Sequence, residues 1–363
     1  MRRLAVLGTG LIGGSIALRV RRDDETVEVA GYDADPAALA GAVRRGAVTH
    51  AARSVADAVT GADLVVLALP VDRIPAAVED VARLVGAETV VTDVGSSKGE
   101  VVRSAGAVPE LSFVGGHPMA GSERHGIEAA DPDLFEDAWW VLTPTAGTSS
   151  ADYSRVTDLV SRLGAKPIAL DPAVHDALVA RLSHLPQLAA SALVEVAAGA
   201  GDKDALLGLA AGGFRDVTRI AASESGMWLA ILRTNRIAIL DALDGLEQRL
   251  RGLRRMLIEH RWDELRTFLE GARTARLELF AKPAYAGTPV TLTMLVPDRP
   301  GVLAEVTTAA GELGANIEDL NLFHSTEGGR GRLEVIIAGE GSAEALRTRL
   351  EDLGYHVDRG LPE

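Results

Sequence analysis

The 363-residue chain contains no cysteine, which excludes disulfides, a thiolate nucleophile and cysteine-ligated zinc or iron–sulfur sites. Positive charge is also short: 37 Lys plus Arg stand against 51 Asp plus Glu, a net charge of −14. Neither nucleic acid nor an anionic membrane is an expected partner, because both need a basic surface. An anionic small molecule would have to be held by local cations. No run is expected to supply the roughly 18 apolar residues of a membrane helix, and MRRLAVLGTG stops resembling a signal start at Gly8 and Gly10. No spacing typical of a metal site is visible. The expected compartment is the cytoplasm, and the length with 47% apolar residues predicts two or three domains.

Short apolar runs stopped by glycine or proline alternate with helical patterns through the first half. RLAVLG, VEVAGYD, ADLVVLALP, ETVVTDVG, SFVGG, WWVLTP and KPIALD read as strands, with LIGGSIALRVRR, AAVEDVARLV and KGEVVRSAG as helices between them. This alternation predicts an α/β fold with a parallel, doubly wound sheet over residues 1–171. From residue 172 strand patterns give way to two long helical ones, HDALVARLSHLPQLAASALVEVAAG and GMWLAILRTNRIAILDALDGLEQRLRGLRRML, so 172–281 reads as an all-α domain. LFAKPAYAGTP is a linker by its punctuation. Residues 289–363 then read β-α-β-β-α-β, a ferredoxin-like module.

Gly8-Thr9-Gly10-Leu11-Ile12-Gly13 fits GxGxxG and sits between a first strand and a helix. That context suits a dinucleotide: the first glycine turns the chain, the second admits the pyrophosphate and the third packs helix on strand. Asp33, twenty residues after Gly13, ends the second strand, where a carboxylate accepts from the ribose hydroxyls and repels a 2′-phosphate. The expected cofactor is NAD. Asp33 could instead cap the DADP turn.

Ligands of such a sheet bind beyond the carboxyl ends of its strands. Three loops end there: Leu69-Pro70, GSSKG and GGHPMAGSE. Ser96 is placed to donate to cofactor or substrate, or to cap the following helix, a task open to Ser97 as well. His117, between a glycine pair and Pro118, is either a hydrogen-bonded turn residue or an acid–base group. A hydride acceptor beside an imidazole suggests alcohol oxidation, in which the base takes the hydroxyl proton. In FRDVTRIAASESGMW, Asp216 and Arg219 lie three apart on one helical face, either as a surface ion pair or as an anion anchor.

The motifs GTGLIGGS, GYDADP, DVGSSKG, FVGGHPMAGSE, LSHLPQ and FRDVTRIAASESGMW, in this order, make the chain resemble the prephenate dehydrogenase family of tyrosine biosynthesis, including its arogenate-oxidising members. The resemblance implies NAD-dependent oxidative decarboxylation of prephenate, with arogenate as the alternative substrate. It implies that His117 meets the ring hydroxyl, Ser96 supports that bond and Arg219 binds a substrate carboxylate. It also implies that Glu123, Ser183, His184, Asp216 and Trp228 surround the pocket. The family pattern often reads SHLPH, and Gln187 departs from it. The long helices are implied to join two subunits in a homodimer. PDRPGVLAEV and GANIEDL resemble an ACT domain, which implies an effector site involving Asp298, Gly301, Asn316 and Ile317, with tyrosine or phenylalanine as the regulator. A non-catalytic sensor built from the same modules is the rival from another class.

Overall fold

The computed structural model describes residues 1–120, 125–199, 212–280, 289–297, 299–324 and 330–360. The seven apolar runs, joined by a two-residue edge strand that none of them marked (β3), become one sheet: β1 (Arg3–Leu7), β2 (Glu28–Tyr32), β3 (His50–Ala51), β4 (Leu64–Leu67), β5 (Val90–Asp93), β6 (Phe113–Pro118), β7 (Trp139–Thr143) and β8 (Lys166–Ala169), in the order β3-β2-β1-β4-β5-β6-β7-β8. Around them lie α1 (Leu11–Asp23), α2 (Pro36–Arg44), α3 (Val55–Val59), α4 (Ile74–Ala82), α5 (Gly99–Gly106) and α6 (Ser150–Arg162). Both faces are covered, so strand residues of either parity are apolar: Leu4 and Val6 enter one core, Ala5 and Leu7 the other.

The sheet departs from the all-parallel expectation at one edge. β7 runs antiparallel to β6, and β8 runs parallel to β7. Among the described residues between Pro118 and Trp139, only a 3₁₀ turn at Ile127–Ala129 forms. A parallel return would need a crossover helix there.

The two long helical patterns are both interrupted. The first becomes α7 (Pro172–Val179), a π-helical turn (Ala180–His184) and α8 (Leu185–Ala198). The second breaks at Asn235 into α10 (Ser225–Thr234) and α11 (Arg236–Ile258), after α9 (Gly212–Thr218) and before α12 (Trp262–Phe280). Asn235 leaves helical geometry because its buried amide is used elsewhere, donating to the Asp176 carbonyl at 2.9 Å. Against expectation, Pro172–Ala198 is long and apolar enough by length and composition alone to cross a bilayer. It carries Asp176, Arg181 and Glu195, and its buried polar positions include His175, Asp176, His184 and Gln187, groups that a lipid-facing helix would have to desolvate.

The C-terminal module is β9 (Pro289–Pro297), α13 (Val302–Glu312), β10 (Ile317–His324), β11 (Arg330–Ala338), α14 (Glu340–Asp352) and β12 (Val357–Gly360), with antiparallel strand order β10-β11-β9-β12. Its edge strand β10 lies against edge strand β8, and its core is continuous with that beneath β7 and β8.

Candidate active site

Strand order reverses between β1 and β4, so their carboxyl ends open a crevice. Gly8 turns the chain there with φ +95°, and a Cβ on it would lie 2.1 Å from the Ala68 carbonyl oxygen. Gly13 lets α1 close on β1, where a Cβ would meet the Gly8 carbonyl oxygen at 2.0 Å. Gly10 is the N-cap of α1 and has no side chain with which to cap that end. The first-turn N–H groups of Leu11 and Ile12 thus offer donors to an anion.

Asp33 follows β2 and braces the glycine turn. One carboxylate oxygen accepts from Thr9 N–H (2.7 Å) and the Thr9 hydroxyl (3.1 Å), the other from Asp35 N–H (2.9 Å). The cap of α2 is Asp35, which accepts from Ala37 N–H at 2.9 Å. The donor set and the placed carboxylate fit a pyrophosphate and an adenosine ribose.

The crevice continues into a cleft of about 660 Å³ lined by Gly10, Leu11, Ile12, Leu69, Pro70, Arg73, Ser96, His117, His125, Glu224 and the α10 residues Met227, Ala230 and Ile231. Ser96 is half-buried on this wall. Neither serine caps α5: Ser97 is buried and donates to the Thr234 hydroxyl at 2.7 Å. The first amides of that helix, Lys98 N–H and Gly99 N–H, instead reach the Asp176 carboxylate at 2.7 and 2.8 Å.

His117 is the penultimate residue of β6, opposite Val141. Its Nδ1 is 2.8 Å from His175 Nε2, and His175 Nδ1 is 2.9 Å from Asp176 Oδ1. The carboxylate accepts only, so His175 carries its proton on Nδ1 and, as a neutral ring, accepts at Nε2. His117 must then donate from Nδ1. This leaves His117 Nε2, on a ring that lines the cleft, as a hydrogen-bond acceptor; the tautomers follow from the bonding network. Burial above all, and then His175, Lys98 and His184, hold His117 well below the usual imidazole range, so it stays neutral.

His184 is buried beside this chain, with Nδ1 3.2 Å from the Asn235 amide and its ring edge-on to Trp228 at 6.0 Å. Burial brings it down to about 4, against the raising effect of Asp176. Gln187 is buried, and among the described residues neither its Oε1 nor Trp228 Nε1 meets a hydrogen-bond partner. Ser183, Asp216 and Arg219 are exposed and lie outside the lining of the His117 cleft. Glu123 and Asp298 lie outside the described residues.

The remaining effector candidates divide between two clefts against the nucleotide domain. Gly301 (φ +91°), whose N–H donates to the Thr148 carbonyl at 3.0 Å, borders one of about 490 Å³ with Arg299, Glu305 and Ala146. Asn316 and Ile317 border another of about 160 Å³ with Asp171, Val174 and Leu178 of the β8–α7 region.

His175, Asp176, Asn235, Lys98 and Asp93 were missed by sequence reasoning. The available signal was the ionisable pair His175-Asp176 opening an otherwise apolar helix.

Known proteins share this fold and its order of domains. Residues 16–169 match the model of the prephenate dehydrogenase nucleotide-binding domain, 171–271 that of the prephenate dehydrogenase dimerization domain and 290–355 that of the ACT domain. Prephenate dehydrogenase of Bacillus subtilis is 32% identical over 365 residues, covering 98% of each chain. The crystal structure of Aquifex aeolicus prephenate dehydrogenase with hydroxyphenyl propionate and NAD⁺ is similar with a TM-score of 0.72 and 31% identity, over 77% of this chain and 98% of that one. Synechocystis arogenate dehydrogenase follows with a TM-score of 0.68 and 31% identity, over 76% and 99%. With a Rossmann-type nucleotide fold, an imidazole acceptor on its cleft and relatives along its whole length, the chain belongs to the prephenate dehydrogenase family of NAD-dependent oxidoreductases and carries a C-terminal ACT domain.

Proposed function

We propose that the protein is a prephenate dehydrogenase, oxidising prephenate with loss of CO₂ to 4-hydroxyphenylpyruvate in the cytoplasm. The observation that carries this reading is the Asp176–His175–His117 chain, which presents a neutral imidazole nitrogen to the cleft. NAD supplies the hydride acceptor. His117 Nε2 accepts the hydrogen bond, and then the proton, of the ring hydroxyl whose carbon is oxidised. Ser96 supports that hydroxyl. As the ring carbonyl forms, the ring carboxylate leaves as CO₂ and the ring becomes aromatic, a driving force that requires no further group. Arg219 takes a substrate carboxylate, with Glu123, Ser183, His184, Asp216 and Trp228 around it. These assignments are carried over from the family resemblance, and for His184 and Trp228 their edge-to-face contact adds support.

The test is NADH absorbance with the purified protein given prephenate or arogenate, each with NAD and with NADP. Reduction with prephenate and NAD is expected, and NADP is disfavoured by the Asp33 carboxylate. Reduction with arogenate alone would transfer the assignment to that substrate. No reduction with either would leave a sensor.

The ACT domain suggests an amino-acid ligand. We assign it feedback by tyrosine or phenylalanine, with Asp298, Gly301, Asn316 and Ile317 in the response. Titrating either into the assay is expected to lower the rate or raise the substrate KM, and kinetics unchanged by both would remove feedback. We also infer a homodimer. Val196, Ile237, Leu250, Ile258 and Leu269 stand exposed on α8, α11 and α12, an apolar surface of the kind that a second subunit covers.

A further inference from the structure

Lys98 and Asp93 are both completely buried and form an ion pair behind His117. Taking two charges out of water often costs more than the pair returns as stability, so the contacts of this pair need another account. Lys98 Nζ donates to the Gly116 carbonyl at 2.7 Å, and Asp93 Oδ1 accepts from Gly116 N–H at 3.0 Å. The residue before His117 is therefore held through both of its backbone groups. It has no room to slide: a Cβ at Gly116 would lie 2.6 Å from the Asp93 carbonyl oxygen and 2.9 Å from Trp140 Nε1. The same lysine donates its backbone N–H to Asp176 Oδ1, the atom that accepts from His175. One residue thus ties the strand end bearing His117 to the carboxylate that orients His175.

We propose that Lys98, together with Asp93, is the positioning residue of the histidine pair, holding His117 and His175 in register so that His117 Nδ1 donates and Nε2 accepts. The proposal rests on the reading of His117 as acceptor for the substrate hydroxyl. The groups facing His117 are His175 and Asp176 on α7, His184 on the turn after it, and Lys98 and Asp93 behind it, with His125, Asp72, Arg73 and Glu224 along the cleft. The Lys98 ammonium opposes a second positive charge on His117. Neutral His117 is the working form, so activity falls as pH drops through its pKa. Removing the ammonium raises that pKa and moves the acid limb to higher pH.

Lys98→Met is expected to lower kcat about 100-fold, the scale of a small misplacement of reacting groups, and to move the acid limb of kcat to higher pH. The NAD dissociation constant should stay unchanged. In ¹⁵N-histidine-labelled protein, with eight histidines to resolve, the His117 nitrogen shifts should change from a single Nδ1–H tautomer to a mixture. An unmoved acid limb with an unmoved tautomer overturns the proposal whatever happens to kcat. Should the single variant lose cooperative unfolding, K98M/D93N, which buries no unpaired carboxylate, is measured in the same way. A folding defect shared by both also overturns it, since the pair would then be a stability element. The nitrogen shifts are read without substrate, whereas failure of the prephenate reading appears as absent NADH formation in the unsubstituted protein.

Discussion

His117→Asn is expected to lower kcat by about 10²–10⁴-fold, the usual contribution of a positioned acid–base group, while the NAD dissociation constant stays near that of the unsubstituted protein. Asparagine keeps an N–H donor near the place of Nδ1, so the bond to His175 Nε2 survives. It has nothing at the place of Nε2. The substrate hydroxyl loses its acceptor, and the nucleotide crevice at Gly8–Gly13 is untouched. Steady-state kinetics and a fluorescence titration of NADH separate the two effects. Full activity in the variant would return His117 to a structural role.

Asp176→Asn is expected to cost as much, about 10²–10⁴-fold in kcat, through a residue that never meets the substrate. The size follows from the loss seen when a carboxylate that sets a histidine tautomer becomes an amide. Asp176 dictates the proton position on His175 because it can only accept, and His175 in turn dictates that on His117. An amide can present N–H to His175 instead, which inverts both rings and turns His117 Nε2 into a donor. Asp176 also receives Lys98 N–H and Gly99 N–H. Asparagine satisfies one of these well and leaves the other facing a donor, at a cost of about 1–3 kcal/mol. A lowered Tm measured by calorimetry, with NAD binding intact, accompanies the kinetic loss. Undiminished kcat with a lowered Tm would make Asp176 a helix cap and nothing more.

Both variants probe groups that differ in how visible they are along the chain. His117 is marked locally: Gly115, Gly116 and Pro118 bracket an imidazole at the end of an apolar run. Asp176 is not. Its role requires β5, α5 and α7 to converge, and its partners Lys98 and Gly99 are separated from it by 78 and 77 positions. The same contrast holds in the fold. Before residue 119 every strand except the two-residue edge strand β3 is legible as a short apolar run, because each is covered on both faces and carries its burial in its own residues. The reversed direction of β7 is not, because direction depends on whether the connection returns across the sheet. Nor is the break at Asn235 visible within an unbroken helical pattern. Periodicity reports which residues are buried, and the amide that ends the helix is claimed by Asp176 on another one.

The sequence by itself determined the glycine turn with Asp33, hence the nucleotide crevice, the ferredoxin-like module and the candidacy of His117 and Ser96, because each is written in neighbours along the chain. Only the tertiary structure decided how His117 is held: the relay through His175 to Asp176, and the buried Lys98–Asp93 pair gripping Gly116. Hydrogen bonds last over about 3 Å, and the residues that make them here are brought within that range by packing, which no local pattern encodes.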